Sequence, residues 1–453
     1  MAGIGFELKN LFADTKGVSK ANIAVKSVVV STGPWLISIA TLASLLIFLK
    51  PSMNSTDFYT LSGTFVYTFI FSMIISSPIS NAATRHLSDK LYEEDFAAVS
   101  SVFLSSFAVC GIISFVLSFG FFYIAVSPTL YALEAAFFFT VMSLVWIATV
   151  FVGALKDYNS VVFAFGSGMF IGVLLAVLFG GYELYKTLAC FCSGVAITLY
   201  WLCAKIYIEF GFNGKVLYRW LLSRNSIILI LTAFCFYTGM WVDKWFYWAS
   251  DKAVSPAHGF WFFPSYDFSI FLAYLTTMPT VAFFTVFVET VFYEAQRKYL
   301  DSIAAGADLW SIKSLEQKMQ KAFFKALFMV GVFQLFTALF FGVIVTLVLD
   351  HINLNLLAVP LLRISLICAT MHILIQTIVI FLYYFDFQKE SLAVSFFMLL
   401  TNLVFALIFT DLPFRFSGYG YAISLFFTLI AALLIAAYKF RRLSYYTFTS
   451  SPM

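Results

Sequence analysis

The sequence predicts an all-α polytopic membrane protein of twelve transmembrane helices arranged as two sets of six. Three observations carry that prediction: the composition, the recurrence of long uncharged intervals, and the side on which the basic residues fall. Of 453 residues, 62% are hydrophobic, 20% aromatic and only 11% charged, and the mean hydropathy is +0.94. A water-soluble domain carries about 25% charged residues to clothe its surface, so the main solvent of this chain is lipid. No stretch of mixed, charged composition is long enough for a soluble domain. A net charge of +4, scattered along the chain, excludes a nucleic-acid binder.

A helix crosses the hydrocarbon layer of about 30 Å with about 20 apolar residues. Intervals of that kind run at 27–49, 58–84, 96–133, 135–155, 158–182, 187–204, 225–242, 268–288, 326–349, 364–385, 391–410 and 416–438. The third reads as a helix to about Val126 with a turn at Ser127-Pro128, and the fourth helix starts near Tyr131. The tenth begins ahead of Arg363, near Leu356. Every backbone polar group must be satisfied in lipid, and runs this long and apolar are helices rather than the alternating strands of a barrel.

With the N-terminus inside, 21 of the 27 Lys and Arg fall on the cytoplasmic side. Lys50, Lys186, Lys244, Lys252, Arg363 and Arg415 are the six left outside. That bias places both termini in the cytoplasm. It also divides the chain into a cytoplasmic amphipathic segment 1–26, an N-lobe 27–209 (helices 1–6), a linker 210–224, a C-lobe 225–438 (helices 7–12) and a cytoplasmic tail 439–453. Ile4, Leu8, Leu11 and Phe12 have the spacing of one helix face ahead of the first span. The cytoplasmic segment 293–325 inside the C-lobe is expected as an amphipathic helix or two at the interface or against a partner, or as a solvated connector. The outer loop 248–267 holds Phe260, Trp261, Phe262 and Phe263, which suit an interfacial aromatic belt.

Pro34, Pro78, Pro279 and Pro360 fall in the spans and are candidate kinks, the first three beside small polar residues that can take up a freed carbonyl. Bent helices suit a protein that moves, and a static kink that aids packing is the alternative reading. A charge at the bilayer centre costs roughly 2.5–3.5 kcal/mol on insertion scales, so the ionisable and polar residues inside the spans are candidates for translocation or structure: Asp243, Lys244, Glu289, Arg363, His372 and Gln376, with Gln334 and Asn402 as uncharged companions. Asp243, Lys244 and Glu134 lie near outer helix ends, where snorkelling to the interface explains them. Arg363 and Glu289 differ in depth by something like 15–20 Å at 1.5 Å per residue, too far to pair. His372 and Gln376 form a polar i, i+4 face, and this accumulation of polar groups in the second half points to a hydrated cavity there. The six cysteines lie in apolar runs without a C-x-x-C pair and read as small buried hydrophobes. No metal site, cofactor or catalytic residue is expected, and no phosphate-cradling G-x-x-x-x-G-K-[ST] loop occurs.

Met1-Ala-Gly-Ile-Gly-Phe-Glu-Leu8, Asp243-Lys-Trp-Phe-Tyr-Trp248, Tyr266-Asp267 with Phe271-Leu-Ala-Tyr-Leu275, and Val288-Glu-Thr-Val-Phe-Tyr-Glu294 resemble the PelG family, inner-membrane exporters of the Pel exopolysaccharide of bacterial biofilms. The resemblance implies a member of the multidrug/oligosaccharidyl-lipid/polysaccharide flippase superfamily, two six-helix lobes around a central passage, and no enzymatic activity of its own. It adds Glu294 to the candidate positions. It also implies three partners, namely a cytoplasmic glycosyltransferase, a membrane receptor for cyclic di-GMP and a membrane protein with helical repeats, and a growing amino-sugar polymer as substrate. Sugar hydroxyls lose hydrogen bonds in hydrocarbon, so the passage is expected along polar and aromatic residues of the first, second, seventh and eighth spans. Three other readings stay open: a flippase for lipid-linked oligosaccharides, a membrane-bound acyltransferase using His372 as base, and a scaffold for the synthase.

Overall fold

The computed structural model describes residues 18–126, 128–155, 157–211, 215–352 and 358–450. Among them twelve helices are long and apolar enough to cross a membrane. In chain order the spans are Val18–Leu49, Ser55–Tyr92, Phe96–Ala125, Thr129–Ala154, Tyr158–Phe179, Leu184–Phe210, Arg224–Trp248, an eighth built from pieces, Leu309–Ile352, Ala358–Tyr384, Gln388–Phe409 and Tyr419–Arg441. Each coincides with an interval expected from the sequence. Most run on past the apolar stretch, because helix continues into water while its polar face is solvated. The N-terminal face of Ile4, Leu8, Leu11 and Phe12 lies outside the described residues.

The helices group into two compact units. One holds Gly33–Trp241 and Tyr247–Phe262; the other holds Val242–Phe246 and Phe263–Met453 with residues 18–32. Within the first, the fifth and sixth spans touch backbone to backbone. A Cβ on Gly172 would lie 2.9 Å from the Phe191 carbonyl oxygen and 3.2 Å from Gly194 Cα, and a Cβ on Gly194 would collide with Gly172 and Gly168. In lipid this close fit of small residues replaces the hydrophobic drive that water would give. Asp157 caps the fifth span, accepting from the Ser160 N–H at 3.1 Å and its hydroxyl at 2.7 Å, and its carboxylate meets Lys205 Nζ of the sixth at 3.0 Å. Partial burial opposes its ionisation, yet the Ser160 and Lys205 hydrogen bonds outweigh it and hold the carboxyl below the ordinary range.

The outer loop is a finding the sequence did not foresee. Val254–Ala257 and Phe260–Phe262 form an antiparallel hairpin turned at Gly259, whose φ is +81°. Its aromatic residues do not form an interfacial belt as a group: Phe260 is fully buried and Phe263 nearly so, leaving Trp261 half exposed. The Phe260 ring fills the notch that Gly63 leaves in the second span. The Tyr67 hydroxyl donates to the Trp261 carbonyl at 3.0 Å and accepts the Trp261 N–H at 3.1 Å. Truncating Phe260→Ala should therefore cost about 3–5 kcal/mol, the range for emptying a buried aromatic site. A lowered thermal midpoint of the purified protein, with Trp261→Ala much milder, checks it.

In the second unit the eighth span is broken. Helix Pro264–Leu275 ends at Thr276, Thr277–Phe283 follows, Phe284–Val288 is a π turn, and Glu289–Ala304 resumes the α-helix. Pro279 removes one donor here, and Thr276 and Thr277 turn their hydroxyls to the carbonyls of Ala273 and Tyr274, each at 2.6 Å. Gln334 of the ninth span donates to the Thr276 hydroxyl at 2.9 Å. Pro34 lies inside the first span, with Ser38 bonded back to its carbonyl at 2.8 Å, and Pro78 lies inside the second. Pro360 lies within the described helix Ala358–Tyr384.

The segment expected as amphipathic helix or connector is helical. Glu289–Ala304 turns at Gly306 into the ninth span, which begins at Leu309. Its buried side is aromatic: Phe292 meets Phe381 at a tilt, 4.2 Å between centroids, and Phe323 stacks on Phe440 at 4.4 Å. Phe292 and Phe323 thus pack against helices of their own unit, whereas Leu309 and Trp310 at the start of the ninth span stay exposed. The tail helix Leu443–Ser450 joins them, its first turn capped by Glu316, which accepts from the Ser444 N–H at 3.3 Å and its hydroxyl at 2.7 Å.

Candidate functional site

The second unit contains a buried chain of polar side chains drawn from five helices. It starts in the last turns of the seventh span, where Asp243 and Lys244 are each 1% exposed. Snorkelling is thus overturned: these groups are enclosed by protein. The Tyr266 hydroxyl donates to Asp243 Oδ2 at 2.5 Å, and Asn402 Nδ2 of the eleventh span to Oδ1 at 3.3 Å. Consecutive helical residues point about 100° apart, which leaves the Lys244 ammonium 4.0 Å from Asp243 Oδ1. It lies instead over the Tyr421 ring of the twelfth span, 5.7 Å from the centroid.

From Tyr421 the chain continues. Its hydroxyl shares a hydrogen bond with that of Tyr274 at 2.7 Å and lies 3.5 Å from His372 Nδ1. The His372 ring meets the Tyr274 ring edge-on at 5.2 Å. One acid, one base, one imidazole and three phenols are therefore linked through consecutive contacts. Isolated charges in such surroundings would cost several kcal/mol each; here the carboxylate gains two donors and the ammonium gains a ring face and an opposite charge. Asn402 is fully buried and His372 only 4% exposed, so these groups are packed among one another within the unit.

The structure thus joins Asp243, Lys244 and His372 with Asn402, and it separates the other candidates from them. Gln376 is half-buried one turn beyond His372, and Arg363 and Glu294 are exposed. Arg363 borders an apolar crevice of about 320 Å³ between the ninth and tenth spans. Glu289 opens the helix after the π turn; its side chain lies outside the described residues. Sequence reasoning passed over Tyr421 as a partner. Its flanking Gly418 and Gly420 were a usable signal, since Gly418 takes φ +85° directly ahead of the twelfth span.

Family and fold follow from comparison with known proteins. A family model described as "PelG: Putative exopolysaccharide Exporter (EPS-E)" matches residues 1–448. The chain belongs to the PelG family. Its fold is that of MATE transporters. A mutant MATE structure superposes with a TM-score of 0.63 at 12% identity, covering 93% of this chain and 97% of that one. An outward-facing multidrug resistance MATE transporter of the MOP superfamily gives 0.60 at 15%, covering 94% and 97%. A MOP superfamily transporter from Pyrococcus furiosus gives 0.62 at 13%, covering 93% and 97%. A comparison with curated proteins finds no match. At these identities the structures establish the fold, and the PelG model establishes that this multi-pass membrane protein belongs to an exopolysaccharide exporter family.

Proposed function

We propose that this PelG-family protein carries a growing polymer of N-acetylated amino sugars across the bacterial inner membrane, as the membrane passage of a synthase complex that makes biofilm matrix. The observation that carries the reading is the family match over residues 1–448. The distribution of Lys and Arg supports cytoplasmic termini, and hence receipt of the polymer from that side. On this reading the protein is a transporter with no chemistry of its own. A cytoplasmic glycosyltransferase lengthens the chain, a membrane receptor for cyclic di-GMP controls it, and a helical-repeat membrane protein completes the assembly. The Asp243 network then serves by fixing the end of the seventh span against the eleventh and twelfth.

Reconstitution with the cytoplasmic polymerase in sealed vesicles tests this. Labelled polymer should become protected inside vesicles that contain the protein and stay accessible where it is omitted. Polymer equally protected without it would end the proposal. The transporter fold also suits a flippase for short lipid-linked units, which needs no bound polymerase. Copurification with a glycosyltransferase separates the two.

A further inference from the structure

At their basic ends the eleventh and twelfth spans leave a groove of about 440 Å³. Its floor is apolar, made by Ala393, Leu434 and Ile435, and Leu434 is 67% exposed. Its rim is charged. Lys439 is engaged within the protein: its ammonium meets Glu390 Oε1 at 2.6 Å and lies 3.8 Å over the Tyr446 ring. Lys389, Arg441 and Arg442 stay exposed. Arg442 is held at the mouth of the groove, its Nη1 donating to the Tyr438 hydroxyl at 2.7 Å with the guanidinium 4.6 Å over the same ring. Of the other carboxylates at this end, Asp386 accepts from Gln388 Nε2 at 2.6 Å and Glu316 accepts from Ser444. The balance of charge on the rim is positive, and the exposed residues below it are apolar.

We propose that this groove binds one anionic glycerophospholipid, its phosphate between Lys389 and Arg442 and one acyl chain along Leu434 and Ile435. Charge complementarity selects the occupant. A zwitterionic lipid meets the same floor without the net attraction to the rim, and basic pockets between spans are recurrent sites for anionic headgroups. The inference does not depend on what the protein carries.

Native mass spectrometry of the detergent-purified full chain, titrated with dioleoyl-phosphatidylglycerol, dioleoyl-phosphatidylcholine or inorganic phosphate, tests it. Phosphatidylglycerol should bind in preference to phosphatidylcholine, and inorganic phosphate should not displace it. Lys389→Gln and Arg442→Gln should each weaken phosphatidylglycerol about fivefold, as expected from about 1 kcal/mol per basic residue near a headgroup. Lys389→Arg should bind as the parent does. Leu434→Trp, which fills the floor and leaves the charges, should lower phosphatidylglycerol binding as well. Equal binding of the two lipids, or parental affinity in the Lys389→Gln/Arg442→Gln double variant, overturns the proposal. Displacement by inorganic phosphate would show an anion site without a lipid and overturn it too.

Discussion

Replacing Asp243 by Asn should cost about 3–5 kcal/mol, because the amide keeps the size of the carboxylate while leaving the Lys244 ammonium enclosed without its counter-charge. Lys244→Met alone strands the carboxylate in the same way, although Tyr266 and Asn402 still donate to it. The double variant Asp243→Asn/Lys244→Met removes both charges, and enclosed ion pairs replaced by neutral groups of similar volume are often near neutral. Thermal midpoints of the purified variants should therefore show two severe single losses and a double variant close to the parent. If the two losses simply add, the charges do not depend on one another and the network is not a compensated pair.

A larger effect is expected from Gly194→Leu. The space a side chain would need is already filled by the Gly172 backbone and the Gly168 carbonyl, so the fifth and sixth spans would have to part along their whole contact. Loss of monodisperse protein on size-exclusion chromatography is the expected outcome. Gly166, in the same fifth span with open space around its Cα, provides the control. Gly166→Ala should elute as the parent does and gain slightly in helix stability. Tolerance of leucine at position 194 would mean that the close backbone contact is not what holds these two spans.

The positions of the spans were readable in the sequence because lipid leaves the backbone little choice: a long uncharged interval has to be helix. Their ends were less readable. Thr276, Thr277 and Pro279 marked an interruption of the eighth span in the sequence, but the π turn at Phe284–Val288 has no marker residue. The hairpin was hidden for a different reason. Strands of four and three residues carry little local signal, and what stabilises them is a glycine notch and a tyrosine hydroxyl in the second span, 197 and 194 positions away in the case of the Phe260–Gly63 and Tyr67–Trp261 contacts.

Of the candidate site, the ionisable members were visible because any charge in an apolar run stands out. Their state was not. Whether Asp243 and Lys244 reach for the interface or turn inward depends on Tyr266, Asn402 and Tyr421, which lie 23, 159 and 177 residues further along the chain. Tyrosine in a span is too common here, among 24 in the chain, to be singled out by composition. The depth argument that kept Arg363 and Glu289 apart needed only helix rise; in the structure Arg363 is exposed and borders the apolar crevice.

Leu309–Ile352 is a single helix of 44 residues that no proline interrupts. At 1.5 Å per residue it measures about 66 Å, roughly double the oily slab it crosses. Such a rod works as a lever: a few degrees of lean imposed by a thicker or thinner bilayer at one end swings its lysine-studded end by several ångströms at the other. The lysine-bearing end is therefore expected to shift with lipid chain length, through stiffness alone.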